Sequence, residues 1–290
     1  MPELPEVEIL VRHLRPLLER KVIRSVEVRR RRVVRPTTPR KLSKALRHAQ
    51  FTGLERRGKY LLFHLQTPAG KSFLLVGHLG MTGRMYLLAP QAKLPRHTAV
   101  VLHLDNERFV FEDTRYFGRL MLDTTAVTRL GAEPLAADFT PATLAAGLKR
   151  SAQPIKIKLL DQTVVAGVGN IYASEALFRA RISPRQSARR LTREEIERLW
   201  SAIRDVLTEA VAGGSTVALN FAGATATDRL FYFGSLPDQP SSYEERLLVY
   251  DRYGLPCARC ATPIQRLVQA GRSTFYCPRC QNGRAGKRRR

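Results

Sequence analysis

Residues 1–18 read MPELPEVEILVRHLRPLL, an acidic, proline-punctuated start running into an apolar stripe. Val7, Leu10, Val11, Leu14, Leu17 and Leu18 recur at the spacing of one helix face, which predicts a helix from residue 5 to about residue 20. Pro16 is placed to kink it near its end. Such a helix must bury its stripe on the neighbouring segments, and those read as β structure. Residues 22–34 alternate loosely and include the basic run Arg29–Arg32. Residues 51–65, 73–88 and 100–122 are rich in β-branched, aromatic and leucine side chains. Turn signals such as Thr67-Pro68-Ala69-Gly70 and Asp105-Asn106 break them. Strands at that spacing predict an antiparallel sandwich of two sheets, closing near Gly131-Ala132-Glu133-Pro134.

Beyond that point the periodicity turns helical. Residues 141–148, 155–161, 171–179 and 193–211 each fit a helix, and Thr192 with Glu195 has the spacing of a capping box. Gly213-Gly214-Ser215 closes the last one. Residues 215–245 mix Phe221, Phe231, Tyr232 and Phe233 with Gly, Ala and Pro and are expected to form a long loop. Every cysteine lies in the last segment, ahead of a basic tail at 283–290. The fold class is therefore α+β: an N-terminal antiparallel β-sandwich with a helix, then a helical region, then a small hairpin.

The chain has 290 residues, 49 Lys plus Arg against 25 acidic residues, and a net charge of +24. With 44% hydrophobic residues this is a folded, strongly basic protein, and nucleic acid is the default partner. No apolar run approaches the ~20 residues of a membrane span. No charged leader precedes an apolar run, so no signal peptide is expected, and the expected location is cytoplasmic and nucleoid-associated.

Several constellations could carry chemistry. Removal of Met1 would leave Pro2 as a secondary amine titrating near ~8, with far more free base at neutral pH than a lysine. Such an amine attacks electrophilic carbon and yields an iminium. Glu3, Glu6 and Glu8 stand beside it as proton carriers. The same residues also read as a plain helix start, with Pro5 in the first turn and acids favoured by the dipole. Cys257-Ala-Arg-Cys260 and Cys277-Pro-Arg-Cys280, with sixteen residues between the pairs, make a strong tetrahedral Zn²⁺ signature. The metal would be structural, one Zn²⁺, stabilising a hairpin whose core is too small to fold alone. Gly167-Val168-Gly169-Asn170, flanked by Lys156, Lys158, Arg179 and Arg181, could present backbone amides and Asn170 to a phosphate. Lys59 beside Gly58, and Arg272 on the hairpin, are candidate phosphate contacts. Met81 in His78-Leu-Gly-Met-Thr-Gly83 and Phe117 beside Arg115 could wedge into a base stack.

In this order PELPEVE, RRGKYLL, HLGMTG, DTRYFG, GAEPL, GVGNIYASEALF and GRSTFYCPRCQ closely resemble the bacterial formamidopyrimidine-DNA glycosylase family, over nearly the whole chain. The resemblance implies a β-sandwich at 1–133, a helix–two-turns–helix region with a lesion-capping loop at 134–245, a zinc finger at 246–282 and a tail at 283–290. It implies excision of oxidised purines, such as 8-oxoguanine and formamidopyrimidines, from double-stranded DNA, with subsequent nicking at the abasic site. By resemblance Pro2 is the nucleophile, Glu3 the proton donor and acceptor, Lys59 the residue serving β-elimination, and Arg272 a phosphate contact linked to δ-elimination. His78, His97, Arg150, Lys156 and Asn170 would be DNA contacts, and Met81, Arg115 and Phe117 would fill the gap left by the flipped base. Two departures bear on specificity: Thr114 and Tyr116 replace a proline and a second basic residue, and the capping loop begins Gly213-Gly214-Ser215-Thr216-Val217. An endonuclease VIII-like enzyme for oxidised pyrimidines is the alternative, disfavoured by PELPEVE. A non-catalytic DNA-binding zinc protein is a second, disfavoured by Pro2, Glu3 and Lys59 together. A monomer is the simplest expectation.

Overall fold

The computed structural model describes residues 2–213 and 247–282, which form two compact units divided after Arg129. Met1, the loop expected at 215–245 and the basic tail lie outside the described residues.

In the first unit, helix α1 (Leu4–Leu18) buries Val7, Leu10, Val11, Leu14 and Leu18, each contributing about 2 kcal/mol of burial. Leu17, expected in that stripe, is instead 38% exposed. The helix runs through Pro16 and stops two residues later. Strand β1 (Ser25–Val28) is shorter than its sequence pattern, because Arg31–Val34 coils into a 3₁₀ turn that buries Val33 and Val34. Helix α2 (Pro39–Leu46), capped by the Thr38 hydroxyl accepting from the Lys41 amide at 3.2 Å, lies where the sequence pattern predicts no element. Its apolar signal is only Leu42 and Leu46, one turn apart.

The three apolar runs resolve into β2 (Gln50–Arg57), β3 (Tyr60–Gln66), β4 (Ser72–His78), β5 (Gly83–Leu88), β6 (Thr98–His103), β7 (Arg108–Asp113) and β8 (Arg119–Met121). They form two four-stranded antiparallel sheets, ordered β1-β6-β7-β5 and β2-β3-β4-β8. Phe63 sits between them, edge-on to Phe51 at 6.0 Å in its own sheet and to Phe109 at 5.6 Å in the other. A short helix α3 (Thr125–Thr128) ends the unit.

The second unit holds α4 (Pro141–Leu148), α5 (Ile155–Leu159), α6 (Asn170–Arg179) and α7 (Arg193–Gly213). The capping box at the start of α7 is present: the Glu195 amide donates to Thr192 Oγ1 at 3.2 Å and the Thr192 amide to Glu195 Oε2 at 2.8 Å. The hairpin of β9 (Gln265–Gln269) and β10 (Arg272–Tyr276) turns through Ala270 and Gly271, both at positive φ as a two-residue antiparallel turn requires. Ile264, Phe275 and Cys277 pack with Phe178 of α6, so the hairpin borrows its core from the helices. Among the described residues no helix is long and apolar enough to cross a membrane.

Candidate functional site

The head of α1 sorts its three carboxylates by what already occupies them. Glu8 is taken by two arginines, Arg12 Nε at 2.7 Å and Arg56 Nε at 2.8 Å. Burial alone would raise its pKa, but the two arginines outweigh that and hold it below the ordinary value. Glu6 reaches back to the Glu3 amide at 2.7 Å and closes a capping box with Glu3. Glu3, buried with Pro2 beside it, is the carboxylate next to the potential nucleophile. The helix-start and nucleophile readings are thus compatible, since the same capping box that starts the helix fixes the Glu3 carboxylate next to Pro2.

Lys59 is carried on the two-residue turn between β2 and β3 and is 8% exposed. Two hydrogen bonds fix α1 along β2: Arg15 Nε to the Leu54 carbonyl at 2.8 Å, then Glu8 to Arg56. Running from Arg15 back to Glu8 moves from Leu54 toward Arg56. Continuing at ~1.5 Å per helical residue and ~3.3 Å per strand residue directs Pro2 and Glu3 to the turn that holds Lys59.

His78 ends β4, with its ring 4.7 Å from Tyr60 on the neighbouring strand. Its Nδ1 accepts the Gly80 amide at 3.1 Å, which assigns the hydrogen of the neutral ring to Nε2. Burial, with Lys59 and Arg119 adding repulsion, drives its pKa down to about 4. His78 is therefore a neutral N–H donor at physiological pH. The loop after it packs backbone to backbone on the loop after β7. A Cβ on Gly80 would lie 2.6 Å from the Gly118 nitrogen, and one on Gly118 would lie 2.8 Å from the His78 carbonyl oxygen. Buried Asp113 ties the two loops together: Oδ1 accepts Thr82 Oγ1 at 2.6 Å and the Arg115 amide at 3.1 Å, and Oδ2 accepts the Gly118 amide at 2.8 Å. Met81 and Phe117, 41% and 40% exposed, project from this joint. Arg115 stands 4.8 Å from the Phe117 ring centroid, and His97 faces Tyr116.

The helical unit corrects the expectation for Lys156. It is fully buried, not a surface cation: Nζ donates to Asn170 Oδ1 and Ser174 Oγ, both at 2.9 Å, and to Thr274 Oγ1 at 3.2 Å. Asn170 in turn donates Nδ2 to the Ser273 carbonyl at 3.0 Å. Lys156 and Asn170 thus clasp the hairpin to α5 and α6. Two more of the flanking cations that favour a phosphate site at the glycine turn are committed, Lys158 to Asp161 at 2.7 Å and Arg179 to Glu209 at 2.6 Å, while Arg181 is exposed. The Gly167 amide donates to Gln162 Oε1 at 2.9 Å, so it cannot face an anion. Arg150, just past α4, and Arg272, at the start of β10, are exposed.

All four cysteine sulfurs lie within 4.8 Å of one another, Cys260 being 3.5 Å from both Cys277 and Cys280, and Cys257 3.9 Å from Cys280. A tetrahedron of sulfurs ~2.3 Å from a central Zn²⁺ has edges of ~3.8 Å, so the donor set fits one zinc with no open position. Burial and the neighbouring sulfurs push the Cys280 thiol up to about 12. That is the electrostatic cost a divalent cation at the centre removes.

Residues 1–120 match the formamidopyrimidine-DNA glycosylase N-terminal domain, 130–220 the H2TH domain of the same enzymes, and 254–283 the zinc finger found in FPG and IleRS. The chain belongs to the formamidopyrimidine-DNA glycosylase family. It is 44% identical over 289 residues to the enzyme of Thermus thermophilus, covering 97% of this chain and 98% of that one. Its structure is similar to that of a Lactococcus lactis FPG mutant with Fapy-dG-containing DNA (TM-score 0.83, 32% identity, 97% and 99% covered). It is also similar to Lactococcus lactis Fpg with abasic-site DNA (TM-score 0.84, 32% identity, 96% and 99% covered).

Within this family member, three side chains that brace loops or chain segments inside one or other unit carry little signal in the sequence. Asp113 stands there as one letter of a motif, although an acid two residues before an arginine in a glycine-bounded turn is a signal for backbone capture. Gln162 braces the glycine turn through Val168 and Gly167. Glu175, fully enclosed in α6, accepts the amides of Leu248, Val249 and Tyr250 at 2.8 to 2.9 Å. Burial raises its pKa despite those three donors.

Proposed function

We propose that this chain is a bifunctional DNA glycosylase and abasic-site lyase of base excision repair, acting on oxidised purines such as formamidopyrimidines and 8-oxoguanine in double-stranded DNA. The observation that carries the reading is the head of α1 itself: Pro2 and Glu3 are both buried and adjacent, and a reciprocal capping box with Glu6 holds Glu3 in place beside the amine. Family membership and the DNA-bound relatives support the substrate class.

In this reading the functional modules are 1–133, 134–245 and 246–282, with a basic tail at 283–290, working on nucleoid DNA in the bacterial cytoplasm. Freed of Met1, the Pro2 nitrogen attacks C1′ of the damaged nucleotide, the bond to the base breaks, and the base departs with its electron pair, taking up the proton that the amine loses. Glu3 gives a proton to the ring oxygen as the sugar opens, leaving an iminium joined to Pro2. The iminium draws electrons from C2′, whose proton is removed as the 3′ phosphate leaves, with Lys59 serving this step; Arg272 assists departure of the 5′ phosphate. Neutral His78 donates Nε2–H to a phosphate oxygen, Asn170 its second amide hydrogen, and Arg150 its charge. Met81, Arg115 and Phe117 occupy the vacated stack, offsetting the few kcal/mol that base extrusion costs. Zn²⁺, held by Cys257, Cys260, Cys277 and Cys280, supplies fold stability rather than reactivity.

Borohydride reduction during turnover of 8-oxoguanine DNA is the test. A covalent protein–DNA adduct mapping to Pro2, absent in Pro2→Gly, is expected. An adduct on another residue, or none with fully active protein, overturns the mechanism. Faster excision of an oxidised pyrimidine than of 8-oxoguanine would transfer the chain to the endonuclease VIII-like reading.

A further inference from the structure

Phe117 is approached by two guanidinium groups, Arg115 at 4.8 Å and Arg32 at 5.4 Å from its ring centroid. Tyr116 beside it holds a third. Arg30 stands 5.2 Å over the Tyr116 ring and donates Nε–H to its Oη at 3.1 Å. Tyr116 is itself fixed: its ring packs on the sandwich core, its backbone is left-handed at φ +53°, and its Oη lies 3.5 Å from His97 Nδ1. Arg30 and Arg32 come from the turn after β1, more than eighty positions earlier in the chain, and both are exposed. Their neighbour Arg29 is neutralised by Glu27 at 2.7 Å. Asp113 is buried and spent on the loop backbone.

A surface arginine normally gives up rotamer freedom when it binds, and that loss subtracts from affinity. Arg30 has already lost much of it. The cation–π contact with the ring occupies one side of its guanidinium and the Nε contact commits one edge. The Nη edge remains, presenting parallel N–H groups with the geometry that takes a phosphate bidentately. We propose that Arg30, aimed by Tyr116, is a clamp for a DNA backbone phosphate beside the gap that Met81, Arg115 and Phe117 fill, with Arg32 as its second contact. Tyr116 carries no charge; it positions a charge supplied by the turn after β1. The clamp reads no base, so its contribution is the same for every lesion. This inference rests on the DNA-repair reading of the chain.

The test uses full-length protein and an abasic-analogue duplex, with binding followed by fluorescence anisotropy across a salt series. Arg30→Gln is expected to weaken binding roughly tenfold, as the loss of one charge-assisted hydrogen bond predicts. It should also reduce the log–log salt slope by about 0.9, one phosphate contact fewer. Tyr116→Phe keeps every charge, so it should weaken binding several-fold while leaving the slope in place. In the double variant Tyr116→Phe should cost nothing further, because its effect acts through Arg30. Unchanged affinity and slope in Arg30→Gln, or losses that simply add in the double variant, overturn the clamp. If the wild-type protein neither binds nor nicks the duplex, the failure belongs to the DNA-repair reading instead.

Discussion

Replacing Lys156 with methionine separates an interior strut from a DNA contact. The side chain keeps its stem but loses an ammonium that donates to Asn170, Ser174 and Thr274 within 3.2 Å. Hydrogen bonds to a charged group are worth about 1.5–3 kcal/mol each, but the buried ammonium has forfeited its hydration, which cancels much of the total. Removing it leaves three acceptors facing a thioether, two of them hydroxyls that can rotate to other partners. The net cost should be about 3 kcal/mol. For a unit of this size that lowers the melting temperature by roughly 10 °C. Because Thr274 and the Ser273 carbonyl that Asn170 holds both lie on β10, the loss falls on the seating of the hairpin. Calorimetry should record the lower transition, and a chromophoric chelator should strip zinc faster from Lys156→Met than from wild type. An unchanged melting temperature together with a salt slope smaller by about 0.9 would refute the reasoning, since that pair of results describes a lysine bonded to phosphate.

His78 should contribute to DNA affinity equally at pH 8 and pH 5.5. Its pKa of about 4 keeps the ring neutral throughout, so the affinity ratio of wild type to His78→Gln stays constant, and a ratio that climbs on acidification contradicts this. The same shift adds fold stability that is fully present above the unfolded value near 6.5 and is lost as pH falls toward 4, measurable as a melting temperature that His78→Gln makes less acid-sensitive. Asp113→Asn leaves one of its two oxygen positions unable to accept, costing about 1–3 kcal/mol in the joint between the wedge loops. Excision from lesion DNA should slow more than nicking of a preformed abasic site, which needs no base eviction; equal slowing of both would place Asp113 elsewhere in the reaction. Cys277→Ser removes one of four thiolates and should abolish stoichiometric zinc by atomic absorption along with DNA binding, since zinc contributes on the order of 10 kcal/mol to such fingers. Full zinc retention would mean that the four-sulfur site is not the one occupied.

Much of this protein is written in local pattern. The stripe of α1, the capping box at Thr192, the strand-rich first half and the paired cysteines each rest on residues a few positions apart, where geometry leaves few alternatives. Chain reversals within the apolar runs, the 3₁₀ turn at Arg31–Val34 and helix α2 are not legible there, because a short apolar segment satisfies helix, strand or turn equally well until a partner surface selects one. Charge is the least legible property. Sequence counts Lys156, Lys158, Arg179 and Arg30 alike as cations. The tertiary structure buries the first as a clasp, pairs the next two with carboxylates, and mounts the fourth on Tyr116 with its outer edge exposed. What a lysine or arginine can do depends on which acceptors its flexible stem meets, and those acceptors come from segments 3 to 118 positions away. The composition pointed to a polyanionic partner, and the motifs to the residues at the front of the chain as candidates for its chemistry. Only the packing decided which cations remain available for the gripping.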